Sequence, residues 1–292
     1  MKGFQKFILT SFAFQVLIFL LMAAMWKTVT WTRPQLCQHS DATILVMGNS
    51  RIQYGFDDHQ VPYTWNVGLN ADNYNIIYWK LKTLHQYNPQ IKKVLIEVDN
   101  ATLFGYFHGV EYKLHPYYWD VMNTEDWLDL IIEDRTILLY PFDWMKILFP
   151  LKSLISPIAF QDLGIGSYTC LQRDKLQEDL DIENQTRKKR KESISNKSLV
   201  DDFQLKYLNK IVEYCHSHNI CVEFINMPSY PIESIKHSNL RLSKFVKRTF
   251  PNIPFHNYEL MELPDSCYGD ISHLNYRGAN TIAPILKKDI KF

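Results

Sequence analysis

The sequence predicts an α/β protein: three layers, α/β/α, around a mainly parallel sheet of five strands. Three observations carry that expectation. Short apolar runs rich in β-branched residues recur along the chain, separated by longer stretches of helical period. Strands alternating with helices demand parallel pairing and right-handed crossovers. A chain of 292 residues with 46% apolar content buries one large core plus an insertion and needs no second domain.

The first segment stands apart from that core. Residues 7–26, Phe7 to Trp26, carry no charge, and only Thr10, Ser11 and Gln15 are polar. That length spans a bilayer as a helix. Trp26 and Trp31 suit an interface, and Lys2, Lys6 and Lys27 flank the segment. A cleavable signal peptide is the competing reading, but the apolar region is long for one and Ala23-Ala24-Met25 is a poor small-x-small site. An uncleaved N-terminal transmembrane helix within residues 1–30 is therefore expected. A linker over 31–42 comes next, short enough to hold the domain after it near the membrane surface.

The first strand is expected at Thr43-Ile44-Leu45-Val46-Met47, ending in Gly48-Asn49-Ser50. Gly48 permits a sharp backbone departure, and Ser50 lies beyond the carboxyl end of a strand, where open α/β sheets place their chemistry. Tyr63 to Gly68 reads as the second strand, with Leu69-Asn70-Ala71-Asp72 after it. A helical stripe, Ile76, Ile77, Trp79, Leu81 and Leu84, precedes the third strand, Lys93 to Val98, which ends at Asp99-Asn100.

Residues 101–200 do not read as regular repeats. Twelve of the fifty residues from 101 to 150 are aromatic, and Pro141, Pro150 and Pro157 break up the stretch from 141 onward. An aromatic-rich insertion over the active-site face is expected. Within it Thr124 to Glu133 reads as a short amphipathic helix capped by Thr124. Tyr117, Tyr118 and Trp119 suit either a stacking platform or, the commoner fate, a small core of their own. Residues 174–198, with Arg187-Lys188-Lys189-Arg190-Lys191 after Glu178, Asp179, Asp181 and Glu183 and no interleaved aromatics, read as a solvated loop.

Order returns near Ser198 to Asp201, a helix start, with Leu205, Leu208, Ile211, Val212 and Cys215 as its stripe. Cys221 to Met227 is the fourth strand, 234–249 a helix, and Ile253 to Asn257 a short last strand. A final helix runs from near Asn275 to about Lys288, interrupted by Pro284. The strands fit a flavodoxin-like order.

The residues that carry chemistry lie at the two ends of this domain. Asp270 and His273, in Asp270-Ile271-Ser272-His273-Leu274-Asn275, stand three residues apart, the spacing of one face of a helical turn. The carboxylate can orient the imidazole through one nitrogen while the other faces a nucleophile. With Ser50 the order is Ser…Asp…His. A serine hydroxyl needs such a base at neutral pH.

Those two blocks, about 220 residues apart, resemble the first and last blocks of the SGNH (GDSL-type) hydrolases: Gly48-Asn49-Ser50-Arg51 and the pattern Asp-x-x-His. The nearest flavour is the membrane-anchored branch that includes the teichoic-acid D-alanylation and alginate-acetylation proteins. The resemblance implies that residues 43–292 form an SGNH hydrolase-like domain, placed outside the cytoplasm. It implies Ser50 as nucleophile, His273 as general base and Asp270 as its orienting group. It puts the oxyanion donors at the N–H groups of Ser50 and Ala71, where the family has glycine at the latter position. A third donor falls at Asn100, here without the family's preceding glycine. Asn100 reads equally as an ordinary turn residue. Arg51 and Asn70 are candidates to hold substrate, although a structural salt bridge is the commoner fate of such an arginine.

Other readings are bounded by composition. Net charge is +1, so no global field recruits nucleic acid. Cys37, Cys170, Cys215, Cys221 and Cys267 have no metal-ligand spacing and read as buried thiols; a bridge among the last three stays open outside the cytoplasm. The histidines lack metal spacing too, and His216 with His218 fits a helix cap. No metal and no cofactor are expected. The function implied is a membrane-anchored serine ester hydrolase or O-acyltransferase acting on an acylated cell-surface glycan, with a multispanning membrane O-acyltransferase as a partner. The alternative is a catalytically silent glycan-binding or scaffold protein of a membrane acylation complex.

Overall fold

The structure, a computed structural model, describes residues 10–17, 38–39, 41–105, 118, 121–133, 165–190 and 200–290, with single positions at 20, 21, 24 and 27. Its centre is a five-stranded sheet, every strand parallel to its neighbours. The strands are β1 (Ile44–Met47), β2 (Thr64–Asn66), β3 (Lys93–Glu97), β4 (Cys221–Asn226) and β5 (Phe255–Asn257), in the order β2-β1-β3-β4-β5. Register runs Leu45 with Trp65 and Val94, Ile96 with Phe224, and Ile225 with His256. The order reverses between β1 and β3, so a crevice opens there beyond the carboxyl ends of the strands.

Alternation along the strands sorts the core into two layers. Leu45, Met47, Val94, Ile96, Val222 and Phe224 face one side. There they meet α2 (Tyr74–Tyr87), α3 (Asn100–Phe104), α6 (Asp202–Ser217) and α7 (Glu233–Thr249). Ile44, Val46, Leu95 and Ile225 face the other side, against α1 (Ser50–Gly55) and α8 (Tyr276–Asp289). Both faces of β1 are buried, which is why its run is continuously apolar.

Several local expectations change. The helix α4 (Thr124–Glu133) is capped by Asn123, not Thr124: Asn123 Oδ1 accepts from Asp126 N–H at 2.8 Å, and Asp126 Oδ2 accepts from Asn123 N–H at 3.1 Å. Tyr118 is buried in the first core layer; Tyr117 and Trp119 lie outside the described residues. The charged stretch read as a loop contains α5 (Leu176–Arg190), whose Leu176 reaches the second core layer. Pro284 lies inside an unbroken α8. It is exposed, and so is Asn280, whose carbonyl loses its helical donor to the proline ring but stays open to water. His218 does cap α6, its Nδ1 lying 2.8 Å from the Tyr214 carbonyl oxygen. Cys170, Cys215, Cys221 and Cys267 are free thiols, so no bridge joins the last three; Cys37 lies outside the described residues.

The 7–26 span is described only in part. Residues 10–17 are helical, and Phe12, Phe14, Leu17 and Leu20 are all more than half exposed. No helix among the described residues is long and apolar enough to cross a membrane.

Candidate active site

β1 delivers the chain to Gly48, whose backbone is not left-handed. The glycine is needed for closeness instead: a Cβ there would sit 2.5 Å from Glu97 Cβ and from Ile52 Cγ1. Asn49 then caps α1, its Oδ1 accepting from Arg51 N–H at 2.9 Å while its Nδ2 donates to Asp99 Oδ2 at 3.0 Å. Its own N–H donates to Glu97 Oε2 at 2.9 Å. Three bonds to one side chain and its backbone thus fix Ser50 as the first residue of α1.

The partner arrives on the loop that leads into α8. Asp270 Oδ1 accepts from the N–H groups of Ser272 at 2.8 Å and His273 at 2.9 Å, an Asx-type turn. An antiparallel bridge between Tyr268 and Leu274 closes the loop, and Asn275 begins α8 by accepting from Arg277 and Gly278. The outcome is a linear relay. Ser50 Oγ lies 2.7 Å from His273 Nε2, and His273 Nδ1 lies 2.8 Å and 3.0 Å from the two Asp270 oxygens. Burial pushes the Asp270 carboxyl up, but the His273 hydrogen bond and charge, the Ser272 N–H and Arg173 together outweigh it, and Asp270 stays below the usual carboxylate range.

Two residues that sequence reasoning missed complete this relay. Arg173 Nη1 lies 3.3 Å from Asp270 Oδ2. The Tyr54 ring meets His273 edge-on at 5.5 Å. Arg173 sits in the stretch read as insertion, and nothing in its local pattern marks it. The segment around it is docked firmly: Thr169 N–H donates to Gln53 O, Lys175 N–H to Gly269 O, and Leu171 O accepts from Tyr276.

A cleft of about 250 Å³ opens over Ser50, lined also by Asn70, Ala71, Asn100, Ser229 and His273. Ala71 holds φ = +57°, the left-handed region that glycine occupies without strain and a Cβ does not. The N–H groups of Ser50 and Ala71 make no hydrogen bond within the described residues. Asn70 is exposed and donates its N–H to Gln53 Oε1 at 2.8 Å. Asn100 gives its Oδ1 to Arg241, with Nη2 at 2.6 Å and Nε at 3.2 Å. A guanidinium has only donors, so it faces the amide oxygen and leaves Asn100 Nδ2 for other acceptors. Asn66 is wholly buried: its Nδ2 donates to Ile52 O at 3.0 Å and Phe56 O at 2.6 Å, and its Oδ1 accepts from Gly68 N–H at 2.8 Å.

Arg51 lines the cleft, but its guanidinium is already committed. It lies 3.7 Å from Glu97 Oε1 and 3.6 Å from Glu259 Oε1, and it donates to the Met227 carbonyl. This is the structural fate, not a free anion holder. Burial drives the Glu97 pKa up to about 8, against the pull of Arg51 and with the Asp99 charge adding to the rise.

Among the described residues, Asp57, Asp58 and His59 bring three metal-type ligand atoms together. Their carboxylates already serve the turn, however: Asp57 accepts from His59 N–H and Gln60 Nε2, and Asp58 accepts from Asn66 N–H.

The site's geometry can be set beside known proteins. A family model matches residues 173–292, the part that holds β4, β5, α8 and the Asp270–His273 loop. No curated protein matches the chain. Among solved structures, the chain is similar to a protein from Streptococcus pneumonia provisionally described as a platelet activating factor. There the TM-score is 0.43 and identity 11%, over 96% of this chain and 98% of that one. It is also similar to a provisionally described acylhydrolase from Bacteroides fragilis, with TM-score 0.39 and identity 10% over 88% of this chain and 93% of that one.

Proposed function

We propose that this chain is a serine ester hydrolase or O-acyltransferase of the SGNH type, working through an acyl-serine intermediate. The observation that carries the reading is the 2.7 Å approach of Ser50 Oγ to His273 Nε2, with Nδ1 held by Asp270. His273 takes the hydroxyl proton as Ser50 attacks the ester carbonyl, and the Asp270 carboxylate stabilises the imidazolium that forms. The oxyanion falls to the N–H groups of Ser50 and Ala71, with Asn100 Nδ2 as a third donor; one such donor is worth about 3 kcal/mol of barrier. The leaving alcohol collects its proton from His273. A water or a sugar hydroxyl, deprotonated by the same imidazole, then takes the acyl group from Ser50.

The wider proposal keeps the chain at a membrane, its domain on the extracytoplasmic side and its substrate an acylated surface glycan. Two facts support the anchor: the uncharged run 7–26, and the exposure of Phe12, Leu17 and Leu20, which no described part of the chain covers. A multispanning O-acyltransferase would sit beside it as donor or acceptor of the acyl group. A fluorophosphonate probe tests the central claim. It is expected to label the wild-type protein and not the Ser50→Ala variant. Folded wild-type protein that resists labelling would return the chain to the scaffold alternative.

A further inference from the structure

We infer that a second cavity, on the far side of the Asn100 wall from Ser50, binds a single-chain anionic amphiphile: a hydrocarbon body bearing a phosphate or carboxylate head. The cavity measures about 470 Å³, within the range of small-molecule sites. Phe104, Val200, Leu240 and Phe245 form its apolar wall. His237, Arg241, Lys244 and Arg248 form the rest, and among the described residues no carboxylate lines it.

The basic side chains follow from the sequence of α7. They fall at intervals of four, three and four residues, which puts them on one helix face over about 16 Å. Such a row repels itself unless something neutralises it. His237 has a carboxylate partner, Glu233 Oε1, at 3.4 Å. Lys244 and Arg248 pair with no acid among the described residues, and both are exposed. The described side chains of this wall thus present positive charge and no acid to an occupant.

A bare anion would leave the other half of the cavity unused. Leu240 is 55% exposed beside the charges, an apolar surface that a hydrocarbon stem would cover. A flat membrane surface fits less well than a monomeric ligand, because the site is concave. Arg241 connects the two cavities: its guanidinium stacks 4.2 Å above the Phe104 ring and donates to Asn100, which lines the Ser50 cleft. Arg241 thus joins the wall of this cavity to the wall of the Ser50 cleft. The binding claim itself does not depend on serine chemistry.

Calorimetric titration of the full chain tests it, using octyl phosphate below its micelle concentration, inorganic phosphate, octyl glucoside and phosphatidate vesicles. Octyl phosphate is expected to bind at one site, roughly tenfold or more tighter than either half-ligand. Ser50→Ala should bind it equally, which separates this result from the fate of the hydrolase reading. Lys244→Glu with Arg248→Glu should weaken it by about tenfold or more and leave octyl glucoside unchanged; Lys244→Gln with Arg248→Gln serves if the reversal does not fold. Equal binding of inorganic phosphate or of octyl glucoside, indifference to both double variants, or binding only to phosphatidate vesicles would overturn the proposal.

Discussion

Ala71 shows how much one backbone angle can matter at this site. A Cβ in the left-handed region costs about 1–2 kcal/mol, yet Ala71 holds that turn on the wall of the Ser50 cleft. Glycine would remove the steric cost while adding about 0.5–1 kcal/mol of unfolded-state entropy. Ala71→Gly is therefore expected to raise the urea midpoint modestly and to leave fluorophosphonate labelling intact. A clear fall in stability would mean that the left-handed turn is not strained. Glu97 makes a second residue-scale case. Its folded pKa, about 8, lies above the unfolded carboxylate value, so the native state holds a proton that the unfolded chain releases. Stability from this group is complete below the unfolded pKa and is lost as pH rises toward about 8. Glu97→Gln keeps an acceptor for Asn49 N–H and cannot ionise. Denaturation of both proteins at acid and alkaline pH should show the variant gaining on the wild type as pH rises, by on the order of a few kcal/mol. A pH-independent gap would refute the buried-acid assignment.

At the scale of elements, the short helix that carries Ser50 is too brief to hold itself in place. It is pinned at its start by Asn49 and at its end by Asn66, which reaches from β2 to two carbonyls of the α1 segment and its cap. Asn66→Ala would leave the Phe56 carbonyl and Gly68 N–H without their partners in a dry interior, costing about 2–4 kcal/mol, although Ile52 O keeps the Phe56 N–H. Labelling of Ser50 should slow as well, because its helix loses an end-stop; a stable variant with unchanged labelling would show that Asn49 alone suffices. The sequence announces Ser50 and His273 but not the carbonyls that Asn66 holds, and the reason is physical. Strand runs and the stripes of α2, α6, α7 and α8 appear in the sequence because burial imposes a period on them. α5 has no such stripe: it is polar nearly all round, so its helical state leaves almost no apolar signature. Arg173 and Asn66 act through contacts distant in the chain, and neither residue type is rare enough to stand out.

For the molecule as a whole, the relay is assembled by topology. Ser50 follows β1, Asn100 follows β3, and both flank the reversal in strand order; α8, packed under α1, brings the Asp270–His273 loop back to the same edge. That placement rests on the sheet and both helical layers, and among the described residues none of the contacts that fix Ser50, Asp270 and His273 comes from the first 37. The boundary is visible at His39, whose N–H donates to Asn88 Oδ1 at 2.8 Å and whose carbonyl accepts from Gln90 Nε2 at 2.7 Å, tying the chain to the end of α2. A protein beginning at Gln38 should therefore unfold at the same denaturant concentration as the full chain and label equally at Ser50. It should also move from the membrane pellet to the soluble fraction, where the full chain is expected only with detergent. If the shortened protein stays with the pellet while folded, the bilayer contact resides in the α/β domain instead. If it loses labelling, the N-terminal segment contributes to the site, and the separation of anchor from relay fails.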